Sequence, residues 1–120
     1  MSVSTRTVLV IDDDASLRRM LKLTLRSDGF RVCCAINGAQ ALEELERCAP
    51  DVIVLDMQMP VMDGRTFYRK LRELGCETPV LVVSADGAAA AAHELQADAY
   101  LAKPFDPDTL TMKVASLCAA

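Results

Sequence analysis

Asp12 and Asp13 follow the apolar run Val8-Leu9-Val10-Ile11, and Asp56 follows Val52-Ile53-Val54-Leu55. Ser84 ends Val80-Leu81-Val82-Val83, and Lys103 comes after Tyr100-Leu101-Ala102. Each polar group thus sits at the C-terminal end of a short aliphatic segment. If those segments are parallel strands, the groups gather at one edge of a sheet, where open α/β folds bind ligands. Three carboxylates in one crevice repel one another unless a cation offsets them, and their oxygens suit a hard divalent ion. A lysine and a serine beside them are suited to the oxygens of a phosphoryl group. The chemistry to expect is therefore cation-assisted handling of a phosphoryl group.

The elements that must position these residues alternate along the chain. Strands are expected at about 7–11, 31–36, 51–55, 79–84 and 99–102, and helices at about 15–27, 39–47, 65–74, 88–95 and 107–118. Apolar residues recur at helical spacing in each helical segment: Leu17, Met20, Leu21 and Leu25; Leu42 and Leu45; Phe67, Leu71 and Leu74; Leu110, Val114 and Leu117. Asp28-Gly29 and Pro50 stop the first two helices, Asn37-Gly38 is a turn signal, and Pro79 opens the fourth strand. The strands are near-continuous apolar runs, the mark of a parallel sheet covered on both faces. The fold class is α/β: a five-stranded parallel sheet, flavodoxin-like and doubly wound, with strand order 2-1-3-4-5.

The 120 residues suffice for one domain over 1–120, with a core spanning about 7–118. Hydrophobic residues make up 52% and aromatics 4%, so the core must be aliphatic. A net charge of −4 argues against sequence-independent binding of nucleic acid, which needs basic patches. No apolar run approaches the ~20 residues needed to span a bilayer. Met1-Ser2-Val3-Ser4-Thr5-Arg6 lacks the apolar core of a secretory signal, so a cytoplasmic location is expected. The cysteines, at 33, 34, 48, 76 and 118, form no C-x-x-C pair and read as buried free thiols in a reducing compartment. Cys33 and Cys34, adjacent on a strand, point to opposite faces. His93, the one histidine, reads as a solvated surface residue, and Arg65, Arg69, Lys70 and Arg72 as a solvated helix face.

Four segments in order, Val8–Asp14, Val54–Gly64, Leu81–Ala85 and Tyr100–Phe105, closely resemble the receiver domain of two-component response regulators. The resemblance runs from about Thr7 to the end of the last helix. It implies that Asp56 is the phosphoacceptor, forming an acyl phosphate. It implies a Mg²⁺ site in which Asp13, Asp56 and the backbone carbonyl of Gln58 bind directly and Asp12 acts through water. By the same resemblance Lys103 pairs with Asp56 and the phosphoryl group, aimed by a cis Lys103-Pro104 bond. Ser84 and Tyr100 form a switch pair, and Gln58 and Asp86 tune the lifetime of the phosphorylated state. Asp14 is read as a helix cap only.

The implied partners are a sensor histidine kinase or phosphotransfer protein upstream and an effector protein or domain downstream, with homodimerisation left open and no direct contact with nucleic acid or membrane. Such a domain is a regulatory phosphoacceptor and not an enzyme on external substrates. It would be either a stand-alone receiver or a fragment of a longer regulator. One departure stands out. Ser84 and Lys103 are 19 positions apart, short of the family's spacing by about a helical turn, and Gln96 stands where a glycine is usual. The missing residues come from the loop after the fourth strand or from the first turn of the fourth helix, which is part of the family's output face. Two alternatives follow: a receiver-like interaction module that works without phosphorylation, and an aspartyl phosphohydrolase, for which neither a general acid two residues after Asp56 nor a cap segment is present.

Overall fold

The structure, a computed structural model, describes residues 5–119; the reading of Met1–Ser4 lies outside them. Five parallel strands form one sheet in the order β2-β1-β3-β4-β5: β1 Thr7–Ile11, β2 Arg31–Ala35, β3 Val52–Asp56, β4 Val80–Ser84 and β5 Ala99–Ala102. The helices are α1 Ala15–Ser27, α2 Gly38–Cys48, α3 Gly64–Glu73, α4 Ala88–Leu95 and α5 Pro107–Ala119. The doubly wound α/β architecture expected from the alternation is what the chain adopts.

Strand side chains alternate between two cores, as the period of two requires. Leu9, Ile11, Ile53, Leu55, Val80 and Val82 pack toward α2, α3 and α4, meeting Ala41, Phe67, Leu71 and Ala91. Val8, Val10, Val52, Val54, Leu81 and Val83 pack toward α1 and α5, meeting Leu21, Leu25, Leu110 and Val114. Since both faces are covered, β1, β3 and β4 are buried throughout. Among the described residues no helix is long and apolar enough to cross a membrane.

Local chemistry fixes the helix starts. Asp14 caps α1 by accepting from the N–H groups of Ser16 and Leu17, the role expected of it. Asn37 caps α2 by accepting from Gln40, and Asp63 caps α3 by accepting from Thr66. The Asn37-Gly38 pair is thus a helix entry and not a free turn. Several boundaries shift for similar reasons. The N–H of Ile36 turns to the Gln40 side chain at 2.7 Å, ending β2 one residue early. Asp51 leaves β3 to accept from the Thr7 N–H at 2.8 Å. Leu74, expected to face inward, caps α3 and is 68% exposed.

The cysteine reading needs correction. Cys33 and Cys48 are paired as a disulfide with Cα atoms 6.2 Å apart, while Cys34, Cys76 and Cys118 are free. The end of α2 crosses over β2 on the face that Cys33 presents, which the spacing of 15 residues does not reveal. Cys33 and Cys34 do face opposite cores.

Candidate functional site

The C-terminal ends of β1, β3, β4 and β5 share one edge because the strands are parallel and in register, with Ile11 beside Leu55 and Asp56 beside Val83. Asp12, Asp13 and Asp56 meet there, each offering a carboxylate oxygen within 4.8 Å of the others. Asp12 and Asp56 are buried and Asp13 faces solvent. The Lys103 ammonium lies 3.0 Å from Asp12 and 3.5 Å from Asp56, so residues separated by most of the chain converge as expected. The Lys103-Pro104 bond is cis, also as expected, and the Lys103 N–H donates to the Ser84 carbonyl at 2.9 Å, tying the lysine to the end of β4.

The backbone organises the acids. The Asp14 N–H donates to Asp12 at 2.9 Å and the Gln58 N–H donates to Asp56 at 3.3 Å. Gly64 presses against the loop after β3: a Cβ there would stand 2.7 Å from the Asp56 carbonyl oxygen and 2.8 Å from the Met57 Cα. Only glycine lets α3 start so close to the acid. A residue not foreseen is Arg18, whose guanidinium reaches back from α1 to donate to the Asp12 carbonyl at 2.8 Å. No sequence spacing marks it, because any long cation on that turn of α1 would read as a surface residue.

The electrostatics are unbalanced. Two carboxylates within 4.8 Å repel by about 3 kcal/mol at the dielectric of a protein surface. One lysine cannot neutralise three acids. Burial pushes the Asp56 carboxyl above its ordinary range and the Asp12 charge pushes it further, against the Gln58 N–H and Lys103, which pull it down. Burial by itself would lower the Lys103 ammonium, but the hydrogen bond to Asp12 and the charges of Asp12 and Asp56 outweigh it and hold it above the usual lysine value. A site made of carboxylate oxygens with an uncompensated negative charge fits a hard divalent cation such as Mg²⁺.

Of the remaining expected residues, some join this cluster and some do not. Ser84 is buried beside it, but its hydroxyl donates to the Asp86 carbonyl at 2.8 Å and so is engaged by its own loop. Gln58 and Asp86 are exposed at the mouth. Tyr100 is 49% exposed and stands away from the acids, lining a cavity of about 950 Å³ with α4 residues such as Ala89, Ala92 and His93. The short α4 ends at Gln96, which adopts the left-handed conformation at φ 58° where glycine is expected. His93 is exposed, and Arg65 and Arg69 pair with Glu94 of α4.

Comparison with known proteins agrees with this geometry. A family model described as the response regulator receiver domain matches residues 8–115. The chain is 42% identical over 118 residues to the transcriptional regulatory protein PrrA of Mycobacterium leprae, covering 96% of this chain and 51% of that protein. It is 37% identical over 113 residues to the response regulator MprA of the same species, covering 92% and 50%. The chain thus spans about half the length of these curated relatives. Among solved structures it resembles the receiver domain of the Francisella response regulator 1452, with a TM-score of 0.88 and 33% identity over 96% of this chain and 98% of that one. It also resembles the chemotaxis protein CheY4 of Vibrio cholerae, with a TM-score of 0.86 and 31% identity over 95% and 99%.

Proposed function

Because the chain belongs to the response regulator receiver domain family of two-component signalling, we propose that it is a Mg²⁺-dependent phosphoacceptor switched by modification of Asp56. The observation that carries this reading is the meeting of Asp12, Asp13 and Asp56 with the Lys103 ammonium at the sheet edge. An Asp56 carboxylate oxygen attacks phosphorus of a phosphohistidine on a sensor kinase or phosphotransfer protein. The P–N bond breaks, the imidazole leaves with a proton, and an acyl phosphate remains on Asp56. Asp13, Asp56 and the Gln58 carbonyl would hold the cation, with Asp12 through water. The ion would supply charge neutralisation between the entering phosphoryl group and the acids.

Lys103 is already near both buried acids and can swing from Asp56 to a phosphoryl oxygen without giving up Asp12. Ser84 would exchange the Asp86 carbonyl for a phosphoryl oxygen. Breaking that bond frees the loop before α4 and offers Tyr100 the space beside it, a charge-driven bias on a two-state element. Gln58 and Asp86, at the mouth, would set how readily water reaches the acyl phosphate. The domain acts on its own aspartate, and its output is altered binding to an effector inside the cell.

Incubation of the whole chain with Mg²⁺ and acetyl phosphate, followed by mass analysis, tests this. One phosphoryl group should appear on the unaltered chain, none on Asp56→Asn, and none with EDTA present. A chain that stays unmodified would instead be an interaction module, and steady turnover of phosphate esters would mark a hydrolase.

A further inference from the structure

The opposite end of the sheet carries a second feature. Where the N-terminal ends of β1 and β2 meet the C-terminal ends of α1 and α2, a cleft of about 740 Å³ opens, lined by Lys22, Arg26, Arg31 and Arg47 together with Cys33 and Cys48. In a chain of net charge −4, four cations on one cleft are a local excess. Among the described residues lining it the one acid is Asp51, whose carboxylate already accepts from the Thr7 N–H at 2.8 Å and lies 3.8 Å from Arg6. Arg47 pairs with Glu44. Lys22, Arg26 and Arg31 make no ion pair among the described residues, so their charge is available to a ligand.

Two independent observations therefore share one place: a positive field and a disulfide. We propose that the cleft binds a small anionic thiol of the glutathione type and that Cys33–Cys48 is its thiol–disulfide exchange site. Disulfides that occur among reducing thiols are usually transient or redox-sensing. Exchange begins when the ligand's thiolate attacks one sulfur of the pair. The S–S bond breaks, a mixed disulfide forms, and the other cysteine leaves as a thiolate that takes a proton. A second thiolate attacks the ligand sulfur of the mixed disulfide, releasing the oxidised ligand and the second protein thiol. Two ligand thiols are oxidised and one protein disulfide is reduced. Clustered cations favour this by raising the local concentration of an anionic thiol and by stabilising the departing thiolate. The site is separate from Asp56 and stands whether or not Asp56 is phosphorylated.

The test uses the whole oxidised chain with glutathione, uncharged 2-mercaptoethanol and cationic cysteamine at matched thiolate concentration. Release of Cys33 and Cys48 is followed by alkylation and peptide mass analysis, and each rate is normalised to that with a neutral small-molecule disulfide. Glutathione should exceed cysteamine on the order of tenfold at low salt, and the gap should close as salt screens the cleft. The Arg26→Glu/Arg31→Glu double variant should lose the preference, its rate with glutathione falling further than its rate with 2-mercaptoethanol, and a cooperative urea transition reports that its fold is intact. Equal normalised rates for the three thiols, a preference indifferent to salt, or free Cys33 and Cys48 in the oxidised chain would each overturn the proposal. The salt series on the unaltered chain decides the matter even if the double variant does not fold.

Discussion

Asp56 is held at a cost. Its carboxylate is buried beside the Asp12 and Asp13 charges, and burial followed by the Asp12 charge raises its proton affinity above that of a free aspartate. A raised value in the folded state means that the fold binds more protons than the unfolded chain across that interval. Stability contributed through Asp56 is therefore full below about pH 4 and lost as pH rises through the folded value. In protein stripped of divalent cations, Asp56→Asn should be more stable than the unaltered chain at pH 7 and show little difference at pH 4, measured by urea unfolding with EDTA. Lys103 keeps Asp12 as a partner in that variant, so no buried charge is orphaned. Excess Mg²⁺ should close or reverse the gap at pH 7, since only the unaltered site gains the binding energy of the ion. A gap independent of pH would show that Asp56 does not carry the strain.

At the scale of the elements, the junctions matter more than the elements themselves. The β3–α3 junction depends on Gly64, where a Cβ would meet backbone atoms that cannot yield as a side-chain tip can. Gly64→Ala should cost about 1–3 kcal/mol and displace the Asp56 loop, lowering phosphoryl uptake from acetyl phosphate; thermal unfolding and uptake measured together check both effects. The α4–β5 junction shows the reverse case. Gln96 bears a left-handed backbone at φ 58° with its side chain exposed, so a Cβ is present where none is needed. Gln96→Gly should stabilise by about 0.5–1 kcal/mol, read as a higher urea midpoint with the slope unchanged. Only Ala88–Leu95 form α4, and it has no side-chain cap at its start. Its hold on the molecule comes from buried Ala88, Ala91 and Ala92 and from Glu94 bonded to Arg65 of α3. Such a lightly held helix next to Ser84 and Tyr100 is well placed to move.

The whole molecule has two chemically opposed ends. Parallel strands collect acids at the C-terminal edge and leave a basic cleft at the other. The disulfide joins the outermost strand, β2, to the helix that covers it, closing a loop with a sequence separation of 15. In the chain-entropy view such a closure contributes about 3 kcal/mol. Reduction, or Cys48→Ser, should therefore lower the unfolding free energy by about that amount, while leaving Mg²⁺ binding at the far edge within a factor of two or so. Calorimetric Mg²⁺ titration and urea unfolding of the reduced and oxidised chains check the two statements.

The order of strands and helices, the two-sided core and the identity of the acids were legible in the residues, because periodicity and aliphatic runs are local properties and parallel topology follows from alternation. Asp12, Asp13, Asp56 and Lys103 could be named for the same reason: each lies at or just past the C-terminal end of a strand, and parallel strands bring such positions together. Other facts depended on packing in three dimensions. Leu74 fits an apolar stripe, yet the helix stops before its turn can face the core. The Arg18 contact, the Ser84 hydroxyl held by Asp86 and the outward Tyr100 depend on which neighbour lies within reach, and spacing along the chain does not record that. The Cys33–Cys48 pairing and the basic cleft around it arise where α2 crosses the edge strand. Local sequence sets what each segment becomes; which side chains then touch is decided only when the segments pack.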